Sequence, residues 1–123
     1  MDRVSVAFPV LEGKTDDARA FFRELETQRK SAYTACEQRL NITKEVWHLQ
    51  QTPQGDLLLA YIESPDVAGA LSKFSQSGDE FDQWFKKRMA EVTGGDLNAE
   101  VTGVDLNDLP PEPLNEQLSS YEA

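Results

Sequence analysis

Residues 57–62 read Leu-Leu-Leu-Ala-Tyr-Ile, and Glu63-Ser64-Pro65-Asp66 follow directly. In an extended chain, successive side chains point to opposite faces of a sheet, so this segment is apolar on both faces. A strand of an antiparallel sheet with one face in water should instead alternate between apolar and polar residues. The segment therefore predicts a central strand with both faces covered.

The strands on either side of this segment are predicted from turn residues and alternation. Thr52-Pro53-Gln54-Gly55 is typical of a hairpin turn, and it joins a strand over 44–51 to a strand over 56–63. A first strand is predicted over 3–10, because Val4, Val6 and Phe8 share one face.

Two helical regions separate these strands. From Thr15, the expected N-cap, apolar residues recur at helical spacing to about Asn41. Gln28 and Arg29 interrupt this pattern, so a bend and one long helix remain alternatives. The second region begins with Ser64 as the expected cap.

In the second helical region, Pro65 is expected at the first helical position, and 75–78 divide the region into two helices. The last helix is predicted from Asp79 to about Val92. Its expected buried face consists of Phe81, Trp84, Phe85, Arg88 and Val92.

The order of elements predicts an α+β fold, namely a ferredoxin-like βαββα(β) arrangement with an antiparallel sheet. Residues 1–93 form the predicted domain. Residues 94–123 form an acidic extension containing glycine and proline, which returns as an edge strand in one interpretation.

The segment 100–107 of this extension repeats 91–98, which indicates a local duplication. Asp96-Leu97-Asn98-Ala99-Glu100 only partly fits a calcium loop, because Val101 replaces its glycine.

The strand over 57–62 also predicts a partner. Two helices can cover only one face of the sheet, so the other face needs a second cover. A second copy of the chain, packed sheet against sheet, supplies it in the preferred interpretation. The C-terminal extension is the alternative cover.

Two stretches of this chain resemble a known superfamily. The first is Tyr61-Ile62-Glu63-Ser64-Pro65-Asp66, and the second is Phe81-Asp82-Gln83-Trp84-Phe85. They are similar to the strand, Ser-Pro turn and Phe-x-x-Trp helix of the dimeric α/β-barrel superfamily, which includes antibiotic-biosynthesis monooxygenase-like domains. Residues 40–47 and 101–106 look more like a small bacterial family within it. The resemblance covers about residues 3–110 and implies the fold rather than one activity, because the superfamily hosts oxygenases, isomerases and haem-handling proteins.

Composition excludes several classes of function. The net charge of −10 argues against nucleic acid as a partner, which needs a basic face. No apolar run is long enough to span a bilayer, so no membrane partner is expected. One cysteine, Cys36, and one histidine, His48, cannot supply a zinc or haem site, so neither metal nor cofactor is expected. A single cysteine also fits a cytoplasmic location.

Candidate site residues are few. His48 is the weak candidate for a catalytic base, although a lone histidine is more often structural. The candidates for lining a ligand pocket are Trp47, His48, Tyr61 and Trp84, although aromatic residues at this spacing more often belong to a core.

Two functional hypotheses follow. In the first, the chain is a homodimeric domain with a structural, regulatory or small-ligand-binding role. In the second, it is a cofactor-independent monooxygenase or isomerase that acts on a small apolar substrate. A deep pocket reached by His48 with Tyr61 or Trp47 would favour the second hypothesis, and an interior filled by side chains would favour the first.

Overall fold

The computed structural model describes residues 1–95 and 114–123, and for 114–116 it describes the backbone alone. Its elements are β1 (Asp2–Pro9), α1 (Thr15–Glu26), α2 (Lys30–Arg39), β2 (Lys44–Thr52), β3 (Gly55–Ser64), α3 (Val67–Gln76), α4 (Glu80–Thr93) and β4 (Leu114–Glu122). The predicted α+β class is confirmed. The second copy of the repeat, 100–107, and the calcium-like segment, 96–101, lie outside the described residues.

The sheet is antiparallel throughout, with the strand order β1-β3-β2-β4. The predicted hairpin joins β2 to β3, with Thr52 opposite Gly55. Gly55 has a φ of 131°, which favours glycine at this turn. The apolar segment over 57–62 lies in β3, between β1 and β2, so the prediction of an interior strand is confirmed.

The position of β4 differs from the simple ferredoxin-like order, because β4 lies beside β2 at one edge of the sheet. At about 3.3 Å per residue, the chain between Thr93 and Leu114 can reach either edge of a sheet whose strands lie about 4.8 Å apart. Element order therefore could not predict the edge at which β4 pairs.

The two faces of β3 differ in exposure. Leu58, Ala60 and Ile62 are buried beneath the helices as part of the hydrophobic core. Leu57, Leu59 and Tyr61 lie on the opposite face, are partly exposed and do not belong to that core. We call this opposite surface the open sheet face.

The first helical region is divided into two helices, which is the bent alternative of the sequence prediction. α1 ends at Glu26, and Thr27 has non-helical angles, with φ −118° and ψ −87°. Arg29 precedes α2, stacks on the Trp84 ring at 4.5 Å and forms an ion pair with Glu80 at 3.1 Å. The break between α1 and α2 therefore places Arg29, one of the two polar residues that interrupt the apolar pattern, against α4.

The predicted helix starts need correction at two positions. Lys14 is the N-cap of α1, whereas Thr15 donates a hydrogen bond to Asp56 Oδ2 at 2.6 Å. Asp66, rather than Ser64, caps α3, and it accepts from the Gly69 N–H at 2.9 Å. Ser64 instead donates to the Asn41 carbonyl, because its side chain faces the loop between α2 and β2.

The predicted buried face of α4 is also partly wrong. Phe81, Phe85 and Val92 are buried as expected, but Trp84 and Arg88 lie at its border. The other buried positions are Asp82, Lys86 and Met89. Two of these are charged, and their burial depends on partners in other segments that the sequence pattern of α4 does not show. No helix in the described residues is long and apolar enough to cross a membrane.

Candidate ligand pocket

A cavity of about 60 Å³ lies between the sheet and helices α2, α3 and α4. We call it the helix–sheet pocket. Its wall is mainly apolar, and two carboxyl groups, Glu37 and Glu45, also line it. The other lining residues are Val6, Phe8, Tyr33, Cys36, Leu40, Ile42, Trp47, Ala60, Ile62, Leu71, Phe74, Phe81 and Phe85.

The two carboxyl groups reach the pocket from different layers of the fold. Glu45 lies on β2 and shares the helix-facing side of that strand with Trp47 and Leu49, two and four residues further on. Glu37 lies on α2, one turn after Tyr33, so both side chains occupy one face of the helix. Glu37 is 3% exposed and Glu45 is 6% exposed.

Tyr33 forms the one hydrogen bond to Glu45 that has clear geometry. Its hydroxyl donates to Glu45 Oε2 at 2.7 Å. Burial raises the pKa of the Tyr33 hydroxyl, and the nearby Glu45 and Glu37 carboxyls raise this pKa further. Tyr33 therefore stays protonated and remains a donor at neutral pH.

The Glu37 and Glu45 carboxyls both bind protons more tightly than ordinary glutamates. Burial raises the pKa of Glu37, and the charge of Glu45 raises this pKa further. Burial also raises the pKa of Glu45, although hydrogen bonds from Tyr33 and Glu37 oppose this effect. Because two close carboxylates repel each other in an apolar setting, the pair retains a proton where isolated glutamates would be ionised.

Two polar atoms on the pocket wall have no hydrogen-bond partner among the described residues. They are Oε2 of Glu37 and Nε1 of Trp47. The Trp47 N–H lowers the pKa of Glu45, but it does not form a hydrogen bond of good geometry. A buried polar group without a partner costs about 1–3 kcal/mol, so a bound molecule that supplies partners would recover this cost.

Helix α3 forms one side of the pocket. Leu71 and Phe74 of this helix line the pocket and are only partly buried. The C-terminal end of α3 is fixed by Lys86, whose ammonium group donates to the carbonyls of Phe74, Ser75 and Ser77 at 3.0, 3.2 and 3.0 Å. Lys86 is therefore already engaged and does not serve the carboxyl pair.

A third buried carboxyl, that of Asp82, joins α4 to α2 beside the pocket. Arg39 donates to both of its oxygens, at 2.9 and 3.0 Å. Burial raises the pKa of Asp82, but the hydrogen bonds from Arg39, Ser77 and Cys36 and the charge of Arg39 together outweigh burial and hold the pKa below its ordinary value. Burial raises the pKa of the neighbouring Cys36 thiol, which keeps it protonated and unreactive.

The structure does not bring the sequence candidates together. Trp47 lines the helix–sheet pocket. His48 lies on the open sheet face, as does Tyr61, whose hydroxyl donates to Glu63 at 2.7 Å. Trp84 packs against Phe21 outside the pocket, with ring centroids 5.4 Å apart.

Sequence reasoning named Tyr33 as an aromatic residue that could line a pocket, but it missed Glu37 and Glu45. Alternation along β2 carried a signal, because an acid at position 45 shares a face with Trp47 and Leu49. The spacing of Tyr33 and Glu37 also placed both on one helical face. Neither pattern shows that α2 and β2 place these side chains against each other. Comparison with known proteins supplies no relative, because no protein-family model, curated protein or solved structure matches this chain.

Proposed function

We propose that this chain is a binding domain for a small molecule and that the helix–sheet pocket is its site. One observation carries the proposal: the apolar cavity is lined by Glu37 and Trp47, and each has a buried polar atom, a carboxyl oxygen and an indole N–H, that lacks a partner among the described residues. Binding pockets typically combine an apolar wall with a few polar groups that orient the ligand. The cavity of about 60 Å³ is less than half of the roughly 150 Å³ that accommodates benzene, so the ligand has few heavy atoms.

The test is ligand-observed NMR with a set of small polar and apolar molecules. Trp47→Phe retains an aromatic ring and removes the unpaired N–H, so binding of ligands that accept from it should weaken about tenfold, corresponding to one hydrogen bond. Trp84→Phe is the matched control, because Trp84 lies outside the pocket. Equal weakening in both variants, or no binding by any molecule of the set, would contradict the proposal.

A second candidate function is proton transfer within a small substrate, as in an isomerase without a cofactor. The Glu37–Glu45 pair favours it, because a carboxyl whose pKa is raised toward neutrality can both accept and donate a proton. The measurement is exchange of carbon-bound hydrogen for deuterium in small ketones, followed by NMR. Exchange that persists in Glu37→Gln at the wild-type rate would exclude this role for Glu37.

We also propose that a second copy of the chain covers the open sheet face, as in the dimeric α/β-barrel superfamily, and that the protein is cytoplasmic. The partly exposed Leu57, Leu59 and Tyr61 support the dimer. Leu59→Asp should yield a folded monomer, whereas Leu58→Asp, in the core, should unfold the chain. Light scattering at micromolar concentration distinguishes these states, and a wild-type monomer would refute the dimer.

A further inference from the structure

We propose that the ligand of the helix–sheet pocket is a small protonated amine, held as an ammonium ion between Glu37 and Glu45. This inference rests on the proposed function and specifies the class of its ligand. It starts from a mismatch of charge: two carboxyl groups face one cavity, and the described residues that line it include no lysine, arginine or histidine.

The two cations that hold buried or helix-end groups around the pocket are already used. Arg39 is bound to both oxygens of Asp82, and Lys86 is bound to three backbone carbonyls. Tyr33 satisfies one oxygen of Glu45, whereas Oε2 of Glu37 is buried and unpaired. A positive group that neutralises this pair therefore has to enter from outside the protein.

The rest of the wall suits the body of an organic cation. The rings of Tyr33 and Phe81 stack at 6.4 Å, and those of Trp47 and Phe85 lie 6.0 Å apart. Aromatic faces attract ammonium groups, most strongly where water is excluded. An amine with a short alkyl chain fits the cavity volume, and the negative net charge of the protein favours the approach of cations.

Binding of the amine is coupled to release of a proton. Without a cation the pair retains a proton because the two carboxylates repel each other, and the ammonium group replaces that proton as the neutralising charge. The Trp47 N–H already lies where it favours the ionised form of Glu45. The other titratable and charged groups that face the pair are Tyr33, Cys36, Arg39, Asp82 and Tyr121.

The sign of the pH dependence follows from this coupling. Because one proton is released, the amine binds about tenfold more tightly for each unit by which the pH rises. This gain ends at the pH where the ligand-free pair loses its proton. An uncharged molecule of the same shape releases no proton, so its affinity stays level over the same range.

The experiment is calorimetric titration of the full chain with n-propylamine, n-propanol and propionate, each at pH 6 and pH 8. Two buffers with different ionisation enthalpies count the protons released. We expect n-propylamine to bind at least about tenfold more tightly than n-propanol at pH 8, with about one proton released on binding at pH 6 and no binding of propionate.

Variants locate the site. Glu37→Gln should weaken n-propylamine at least about tenfold and remove the pH dependence of its binding. Glu91→Gln is the matched control, because it makes the same change on an exposed residue of α4. If Glu37→Gln does not fold, the ligand series on the wild-type protein decides the question.

The outcomes separate this inference from the proposed function. Equal or tighter binding of n-propanol, or binding of n-propylamine without proton release at pH 6, overturns the amine and leaves the pocket as a site for a neutral ligand. Absence of binding by all three molecules overturns the amine and counts against the pocket itself.

Discussion

Asp82 and the Glu37–Glu45 pair are all buried, with exposures of 0%, 3% and 6%, but only Asp82 has a cation beside it. Arg39 forms two hydrogen bonds with Asp82, and the pKa of Asp82 lies below its ordinary value. The pair has only a neutral tyrosine as a clear donor, and the pKa of each of its members is raised.

The contrast shows that burial alone does not tell what an acidic residue does. A carboxylate that is paired with a cation stabilises the folded protein at neutral pH. A carboxyl pair without a cation instead costs stability at neutral pH, and a proton or a bound cation relieves that cost. The first arrangement serves the fold, and the second is suited to binding.

Removal of Arg39 should give the largest effect. Arg39→Met retains an apolar stem and leaves Asp82 buried without a cation. We expect the free energy of unfolding at neutral pH to fall by about 3 kcal/mol, at the low end of the range for such pairs because Arg39 is partly exposed.

The pH dependence of Arg39→Met follows from the lowered pKa of Asp82. The stability that Asp82 contributes in the wild type is present above the pKa of the unfolded state, and it is lost as pH falls through the folded pKa. The difference between variant and wild type should therefore shrink below about pH 4. Urea denaturation at neutral and acid pH measures both effects, and equal stability of the two proteins at pH 7 would contradict them.

Removal of the hydroxyl of Tyr33 should have a smaller effect. Tyr33→Phe deletes the donor to Glu45, so we expect a loss of about 1–2 kcal/mol in thermal or urea unfolding at neutral pH. Tyr61→Phe is the control, because its bond to Glu63 lies on the partly exposed open sheet face. If Tyr61→Phe and Tyr33→Phe lower the free energy of unfolding equally, burial of the Tyr33 hydroxyl does not explain the loss.

Replacement of Glu37 should change stability in the opposite direction. A folded pKa above the unfolded value means that stability falls as pH rises from about 4.5 through the folded pKa. Glu37→Gln resembles the protonated form, so we expect a gain of about 1 kcal/mol at neutral pH and a flatter dependence on pH. If Glu37→Gln is instead less stable than the wild type from pH 5 to pH 8, repulsion between Glu37 and Glu45 does not destabilise the folded protein.

His48 should give the smallest effect, because it lies outside both acidic groups. Its side chain is partly exposed and has no hydrogen bond among the described residues. His48→Ala should cost less than about 1 kcal/mol and leave binding of n-propylamine unchanged. Loss of binding or activity in a fully folded variant would instead restore His48 as a candidate base.

The sequence predicted the parts of this molecule that depend on local pattern. Alternation identified β1, the turn at 52–55 and the apolar run over 57–62 identified β2 and β3, and the interruption at Gln28 and Arg29 allowed for the break between α1 and α2. The edge at which β4 pairs was not predictable, because a long connection reaches either edge.

The candidate site depends on pairs of residues that are distant in sequence. Asp82 meets Arg39 across 43 positions, and Tyr33 meets Glu45 across 12. Hydrophobic periodicity places a charged residue on a face of its own element, but it does not identify the group opposite. For that reason Asp82 and Lys86 were expected outside the buried face of α4, and the carboxyl pair was missed.

The three hydrogen bonds of Lys86 also affect how α3 opens. Helix ends usually fray one residue at a time, because water replaces each terminal carbonyl partner separately. Here one ammonium group holds carbonyls of Phe74, Ser75 and Ser77 together, so they lose their partner in a single event when Lys86 moves away. The amide hydrogens at the C-terminal end of α3 should therefore exchange with deuterium at one common rate rather than at graded rates.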